Sequence, residues 1–289
     1  MKKIVILGCE NSHANSFLNF MKEYPKYADV EVIGVYSDDA AAMATLKEKY
    51  GVHVMESYDE AVGCVDGVII TARHGKNHYK YAKPYIASGV PMFIDKPITI
   101  DGVEAVTFMR ECKAAGVRIT GGSCCKHADA VKELKADFLA QADGATLGGV
   151  VRAPMNLNNE YGGFYFYSQH LVEMLAEIFG RFPESVKAYK VGTTINASFK
   201  YPEFVVTAVF VDGNYIYSVE RIAAERSKLL VADIGKDCFL REFDEFYEIL
   251  SGDEQRISYK DFISPVFMLN AIEESLKCGK EIAIKEYEI

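Results

Sequence analysis

Lys3-Ile4-Val5-Ile6-Leu7-Gly8-Cys9-Glu10-Asn11-Ser12-His13 is the stretch on which the reading of this chain turns. A short apolar run ending at a glycine and followed by helix-capping residues is the pattern of a buried strand turning into a helix. The run is short, carries no small-residue cleavage site and leads straight into polar residues. A first strand is therefore expected here, not a signal peptide. Outward from it the alternation continues. Apolar runs at 30–35, 67–72, 91–94 and 117–120 are separated by helical stretches. Phe17, Leu18 and Met21 recur at helical spacing, and 39–50 is rich in helix formers and stops at Gly51. Residues 79–87 stop at Gly89, and 102–115 stop at Gly116. Strands with little polar alternation, linked by helices, predict a doubly wound parallel sheet.

The second half changes character. After a helical stretch at 128–139, strand signals follow at 148–153, 186–191, 205–211, 215–219 and 228–233. Asp212-Gly213-Asn214 reads as a hairpin turn between two of them. One helix interrupts at 170–179, with Leu171, Met174, Leu175 and Ile178 on one face, and the chain returns to helix at 243–250 and 262–277. The expected division is 1–121, a doubly wound parallel domain, and 122–289, an α+β domain on a mostly antiparallel sheet.

Composition limits the partners. Of 289 residues, 49% are hydrophobic and 25% charged, the balance of a globular chain. The 32 basic residues against 41 acidic ones leave a net charge of −9, which repels a phosphate backbone, so nucleic acid is not an expected partner. The apolar runs fall short of the ~20 residues a membrane-spanning helix needs, so no membrane association is expected. The seven cysteines are scattered without metal-type spacing and read as reduced thiols of a cytoplasmic protein, with no metal expected.

In a doubly wound sheet the ligand crevice lies at the carboxyl ends of the strands. A dinucleotide fingerprint needs glycine at the first, third and sixth positions of the first turn. Gly8 fits, but Glu10 and His13 hold the other two. Asn11 and Ser12 sit where they either cap the next helix or meet a phosphate at its N-terminus, and with Gly8 and His13 they are candidate cofactor contacts. At the end of the second strand, Ser37 stands where an acidic residue binds ribose hydroxyls. Asp38, one residue on, either takes that role or caps the following helix. In Asp95-Lys96-Pro97, Lys96 reads as a partly desolvated ammonium aimed at a substrate oxygen, or as a surface lysine paired with Asp95. His170 follows Ser168, a plausible N-cap. At a helix start its pKa is expected to fall, keeping the ring neutral, while Glu173 one turn on acts the other way. A structural role for His170 remains the alternative.

Together these residues resemble the glucose–fructose oxidoreductase / inositol dehydrogenase (Gfo/Idh/MocA) family over nearly the whole chain. Asp95-Lys96-Pro97 is similar to its Glu-Lys-Pro, His170 to its second-domain histidine, and 243–280 to its closing pattern of helices. The loop Thr71-Ala72-Arg73-His74-Gly75-Lys76-Asn77-His78 resembles its nicotinamide-side loop, with His78 matching its histidine. The resemblance implies a Rossmann dinucleotide-binding domain over 1–121 followed by an α+β domain with an open sheet over 122–289, NAD or NADP as cofactor, and a sugar, cyclitol or related polyol or keto substrate. It also implies a homodimer or homotetramer formed through the open sheet. It makes Lys96 and His170 the catalytic pair, and it adds Thr71, Ala72, Arg73, His78, Asp95 and Pro97 to the cofactor contacts. Lys126, Asn156, Asn158 and Tyr167 are candidate walls of the substrate pocket. The position four before His170, often Asp in the family, is Phe166. Two other readings stay open: a binding or regulatory protein that kept the fold and lost the chemistry, and a redox-neutral elimination or glycoside cleavage that retains the cofactor.

Overall fold

The computed structural model describes residues 1–285 and 287–289. Five strands, β1 (Lys2–Leu7), β2 (Val30–Tyr36), β3 (Gly67–Ile70), β4 (Met92–Asp95) and β5 (Ile119–Gly122), form a sheet of order β2-β1-β3-β4-β5. Every pairing in it is parallel. Beyond β2, Val35 makes a single parallel bridge to Val54, the remnant of a further strand. The order therefore reverses between β1 and β3, and a doubly wound sheet offers its ligand crevice at that point. The helices α1 (Ser12–Glu23), α2 (Ala40–Tyr50), α3 (Lys76–Ile86) and α4 (Gly102–Ala114) connect the strands. Asp39, not Asp38, caps α2, accepting the N–H groups of Ala41 and Ala42 at 3.0 Å. Gly8 is required twice over: its φ is +77°, and a Cβ there would lie 2.2 Å from the backbone nitrogen of Ala72.

The second sheet has seven strands: β6 (Thr146–Met155), β7 (Ser185–Val191), β8 (Thr194–Lys200), β9 (Val205–Asp212), β10 (Tyr217–Ala223), β11 (Ser227–Ala232) and β12 (Ile282–Ala283). Their order is β11-β10-β6-β9-β8-β7-β12, antiparallel throughout except for β6 against β9. Strand β8 escapes the sequence reading although Ile195, Ala197 and Phe199 alternate with Asn196 and Ser198 in a regular half-buried pattern. It forms a tight hairpin with β7, in which Val191 faces Thr194 across Gly192. The expected hairpin at Asp212-Gly213-Asn214 does not form, because β6 lies between β9 and β10. A turn signal marks a reversal of the chain; the long central strand decides which neighbours pair.

Four more helices complete the chain: α5 (Asp129–Leu139), α6 (Phe164–Phe179), α7 (Lys236–Leu250) and α8 (Tyr259–Cys278). Helix α6 starts at Phe164 behind Gly163, so Ser168 is buried inside it and caps nothing. The aromatic run 164–167 lacks a polar cap, which hid the true start. The packing crosses the point where the parallel sheet ends. Phe243, Phe246, Ile249 and Leu250 of α7 join Ile4, Ile6, Phe17 and Phe93 in one core, and the Phe17 and Phe243 rings lie 5.0 Å apart. Phe262, Ile263 and Val266 of α8 pack with Val5, Val68 and Ile94, while Met268, Leu269 and Ile272 enter the core of the second sheet. Each such buried side chain contributes about 1.5–3 kcal/mol relative to exposure, so the C-terminal helices bind the two sheets into fixed positions. Among the described residues no helix is long and apolar enough to cross a membrane.

Candidate active site

A cavity of about 490 Å³ opens at the carboxyl end of the parallel sheet, between it and the second sheet. Asn11, Ser12 and His13 at the start of α1, Arg73 after β3 and Lys96 after β4 form one side. Asn156, Asn159, Tyr161, Phe166, Tyr167, His170, Tyr215 and Tyr217 form the other. Lys96 is 5% exposed, and its Nζ stands 4.7 Å from the centroid of the Phe166 ring. Among the described residues it makes no ion pair with Asp95, which instead accepts Nδ2–H of Asn11 at 2.8 Å. The Lys96–Pro97 peptide is cis, and Pro97 packs behind it, its carbonyl oxygen 2.6 Å from where a Cβ on Gly75 would lie.

His170 lies in the second turn of α6, not at its start. Its ring stays neutral for a different reason from the expected helix terminus: burial, then the Lys96 cation, push its pKa down to about 3. Nδ1 is 2.6 Å from Ser123 Oγ and 3.3 Å from Cys125 Sγ. Ser123 thus holds the Nδ1 edge of the ring, while Phe166, where the resemblance suggests an Asp, lies beside Lys96.

The cofactor end is built differently from the expected fingerprint. Glu10 spans the crevice: Oε2 accepts the hydroxyl of Ser37 at 2.7 Å, and Oε1 accepts the backbone N–H of Arg73 at 2.8 Å. The carboxylate beside Ser37 is therefore that of Glu10. Asp38 turns away, accepting the hydroxyls of Tyr36 and Tyr81, both at 3.0 Å. Thr71 and Ala72 are buried at the end of β3, where the Thr71 hydroxyl donates to the Gly8 carbonyl at 3.1 Å. His78 is wholly buried and donates through Nε2–H to the Ala72 carbonyl at 2.7 Å, so it holds the 71–78 loop and does not face the cavity. The Arg73 guanidinium donates to the Tyr161 hydroxyl at 3.0 Å, closing the cavity over that loop. Asn11 caps α1 by accepting the N–H of His13, at the helix end that borders the cavity. With Gly8 letting the chain turn and a carboxylate at the tip of β2, the residues present fit a dinucleotide.

Beneath this floor, His13 is buried between two carboxylates, with Nδ1 3.3 Å from Asp95 Oδ2 and Nε2 3.3 Å from Glu242 Oε2. Burial lowers the pKa of His13, but Asp95 and Glu242 outweigh it and raise the net value. Glu242, on α7, is raised as well, chiefly by burial.

Two expected pocket walls lie elsewhere. Lys126 lines a separate cavity and donates to the Gly121 carbonyl at 2.5 Å, because the turn Cys124–His127 carries it to the far side of β5. Asn158 is exposed, and Asn159 faces the cavity in its place. Asn156 and Tyr167 do line it. Sequence reading missed Tyr161, Tyr215, Tyr217 and Ser123. Their only advance signal was the density of tyrosine around the loops after β6 and β9.

Residues 2–123 match the family model described as an oxidoreductase family with an NAD-binding Rossmann fold, Gfo/Idh/MocA. No curated protein matches the chain. Solved structures share its fold end to end at low identity. The scyllo-inositol dehydrogenase of Lactobacillus casei, crystallised with NAD(H) and scyllo-inositol, has a TM-score of 0.84 at 15% identity, covering 98% of this chain and 99% of that one. The myo-inositol 2-dehydrogenase of Lactobacillus plantarum gives 0.85 at 13%, covering 98% and 99%. The WlbA dehydrogenase of Chromobacterium violaceum, in complex with NADH and UDP-GlcNAcA, gives 0.81 at 16%, covering 99% and 97%. Residues 2–123 are thus similar to the NAD-binding Rossmann domain of the Gfo/Idh/MocA oxidoreductase family, and they fold as a parallel sheet of that kind.

Proposed function

We propose that the protein is a nicotinamide-dependent oxidoreductase acting on a hydroxyl-bearing carbon of a sugar, cyclitol or related polyol, or on the corresponding ketone. The observation that carries this reading is the meeting of Lys96, from the tip of β4, and His170, from α6, in one cavity at the carboxyl end of the parallel sheet. A bound nicotinamide supplies the hydride acceptor or donor. The residues of the chain do the rest. Lys96 donates a hydrogen bond to the reacting oxygen and stabilises the negative charge that develops there; its burial keeps that charge from being screened by water. With Nδ1–H donated to Ser123 Oγ, His170 keeps the lone pair of Nε2 free to take the hydroxyl proton. Asn156, Asn159 and the tyrosine hydroxyls supply donors and acceptors for the remaining hydroxyls of a polyol. Arg73 and Tyr161, joined by a hydrogen bond, form part of the cavity rim.

The Glu10 carboxylate, beside Ser37, hydrogen-bonds ribose hydroxyls and repels a 2′-phosphate, which favours NAD over NADP. The exposed face of the second sheet carries Leu147, Tyr189, Val191, Leu229 and Val231, an apolar surface suited to pairing between copies of the chain. Titration with NADH and NADPH, followed by reduced-nicotinamide fluorescence, tests the reading. Saturable binding with NADH the tighter ligand is expected; no saturable binding of either at millimolar levels would leave the binding-protein reading in its place.

A further inference from the structure

One cluster takes no part in the chemistry above. His13 Nε2, Cys124 Sγ and a carboxylate oxygen of Glu242 lie within 4.8 Å of one another, each residue buried. They come from three separate elements: the first turn of α1, the turn after β5, and α7. Among the described residues His13 Nε2 and both oxygens of Glu242 have no hydrogen-bond partner. The 3.3 Å between Nε2 and Glu242 Oε2 is an ion-pair separation at an angle that makes no hydrogen bond. A wholly buried carboxylate with neither oxygen hydrogen-bonded is rare in folded proteins, and beside an imidazole and a thiol it is open to a further ligand.

We propose that His13, Cys124 and Glu242 bind a zinc ion. Donors held about 2.1 Å from a tetrahedral ion stand about 3.4 Å apart, close to the separation of the imidazole and carboxylate here. The sulfur needs about 3.6 Å to each, which a small movement of the Cys124 side chain provides. One imidazole, one thiolate and one carboxylate are a zinc donor set; magnesium and calcium prefer all-oxygen sites. The ion's two positive charges balance the thiolate and the carboxylate, so the buried site becomes neutral. Binding releases the thiol proton of Cys124 and the Nε2 proton of His13 to solvent. The other ring nitrogen of His13 already faces Asp95 Oδ2 and Asn11 Oδ1, each at 3.3 Å, the outer support that metal-bound histidines commonly have. His13 and Cys124 also line the active-site cavity, so the fourth position faces that space. The metal would join the turn that opens the Rossmann domain to α7 from the far end of the chain.

The test uses the full-length protein, purified without chelator, and needs no turnover. Elemental analysis is expected to find about one zinc per chain. Replacement by cobalt(II) is expected to give a near-ultraviolet thiolate-to-metal charge-transfer band. Cys124→Ser should abolish the band and Cys125→Ser should leave it, each variant checked for folding by circular dichroism. Asp95→Asn should weaken cobalt binding about 10–100-fold. Folded wild-type protein that keeps neither zinc nor cobalt after incubation with an excess and desalting would overturn the proposal, without recourse to any variant. So would a band that survives Cys124→Ser and disappears in Cys125→Ser, which would move the ion to the Cys125–His170 side.

Discussion

The two ends of the cleft are built on opposite principles. At the end holding Lys96 and His170, the expected side chains are present and converge, although the helix carrying His170 starts earlier than its sequence suggests. At the other end the backbone is kept and the side chains are replaced. Gly8 retains its left-handed turn against Ala72, yet Glu10 stands where a second glycine is expected and lays its carboxylate against Ser37 at the tip of β2. The backbone requirement at Gly8 is steric and absolute. A carboxylate near the ribose is a requirement of charge, which any residue reaching the same point can meet.

Both ends rest on the core that α7 shares with the parallel sheet, so the largest effect is expected there. Phe243→Ala removes a wholly buried ring from that core and should cost about 3–5 kcal/mol, measured by denaturant unfolding. A cost below about 1 kcal/mol would show that α7 only rests on the sheet. At the catalytic end, Lys96→Ala should lower kcat by about 10²–10³-fold while NADH affinity changes little, which steady-state kinetics and fluorescence titration resolve. Equal losses in both would make Lys96 a cofactor ligand. At the cofactor end, Gly8→Ala combines left-handed backbone strain with a clash against Ala72 and should destabilise the fold by about 2–4 kcal/mol. Glu10→Gln should be milder, weakening NADH binding about tenfold and narrowing the preference over NADPH. A gain in NADH affinity would mean that the carboxylate blocks the crevice.

The parallel sheet was legible because its strands are nearly unbroken apolar runs and its helices stop at Gly51, Gly89 and Gly116. The second sheet was only partly legible. Strand β8 alternates regularly yet lies outside the expected strands, and the parallel pairing of β6 with β9 depends on contacts between residues distant in sequence. For the same reason Lys96 and His170 could be named in advance but Ser123, Tyr215 and Tyr217 could not. The first pair stand at element positions with a recognisable pattern; Tyr215 and Tyr217 are placed by the second sheet, and Ser123 by the turn that follows β5. The His13–Cys124–Glu242 group leaves no trace in residue spacing, since its members are brought together only when α7 folds back across β5.

The most direct measurement is nicotinamide absorbance followed with NAD and a panel of cyclitols and sugars, for the wild type and for Lys96→Ala. The wild type should reduce the cofactor with at least one polyol. The variant should still bind NADH and should lose that turnover by two orders of magnitude or more, within the range of about 10²–10³ for removing one charge-stabilising donor. Tight NADH binding by a wild type that turns over no member of the panel, with Lys96→Ala indistinguishable from it, would contradict the account.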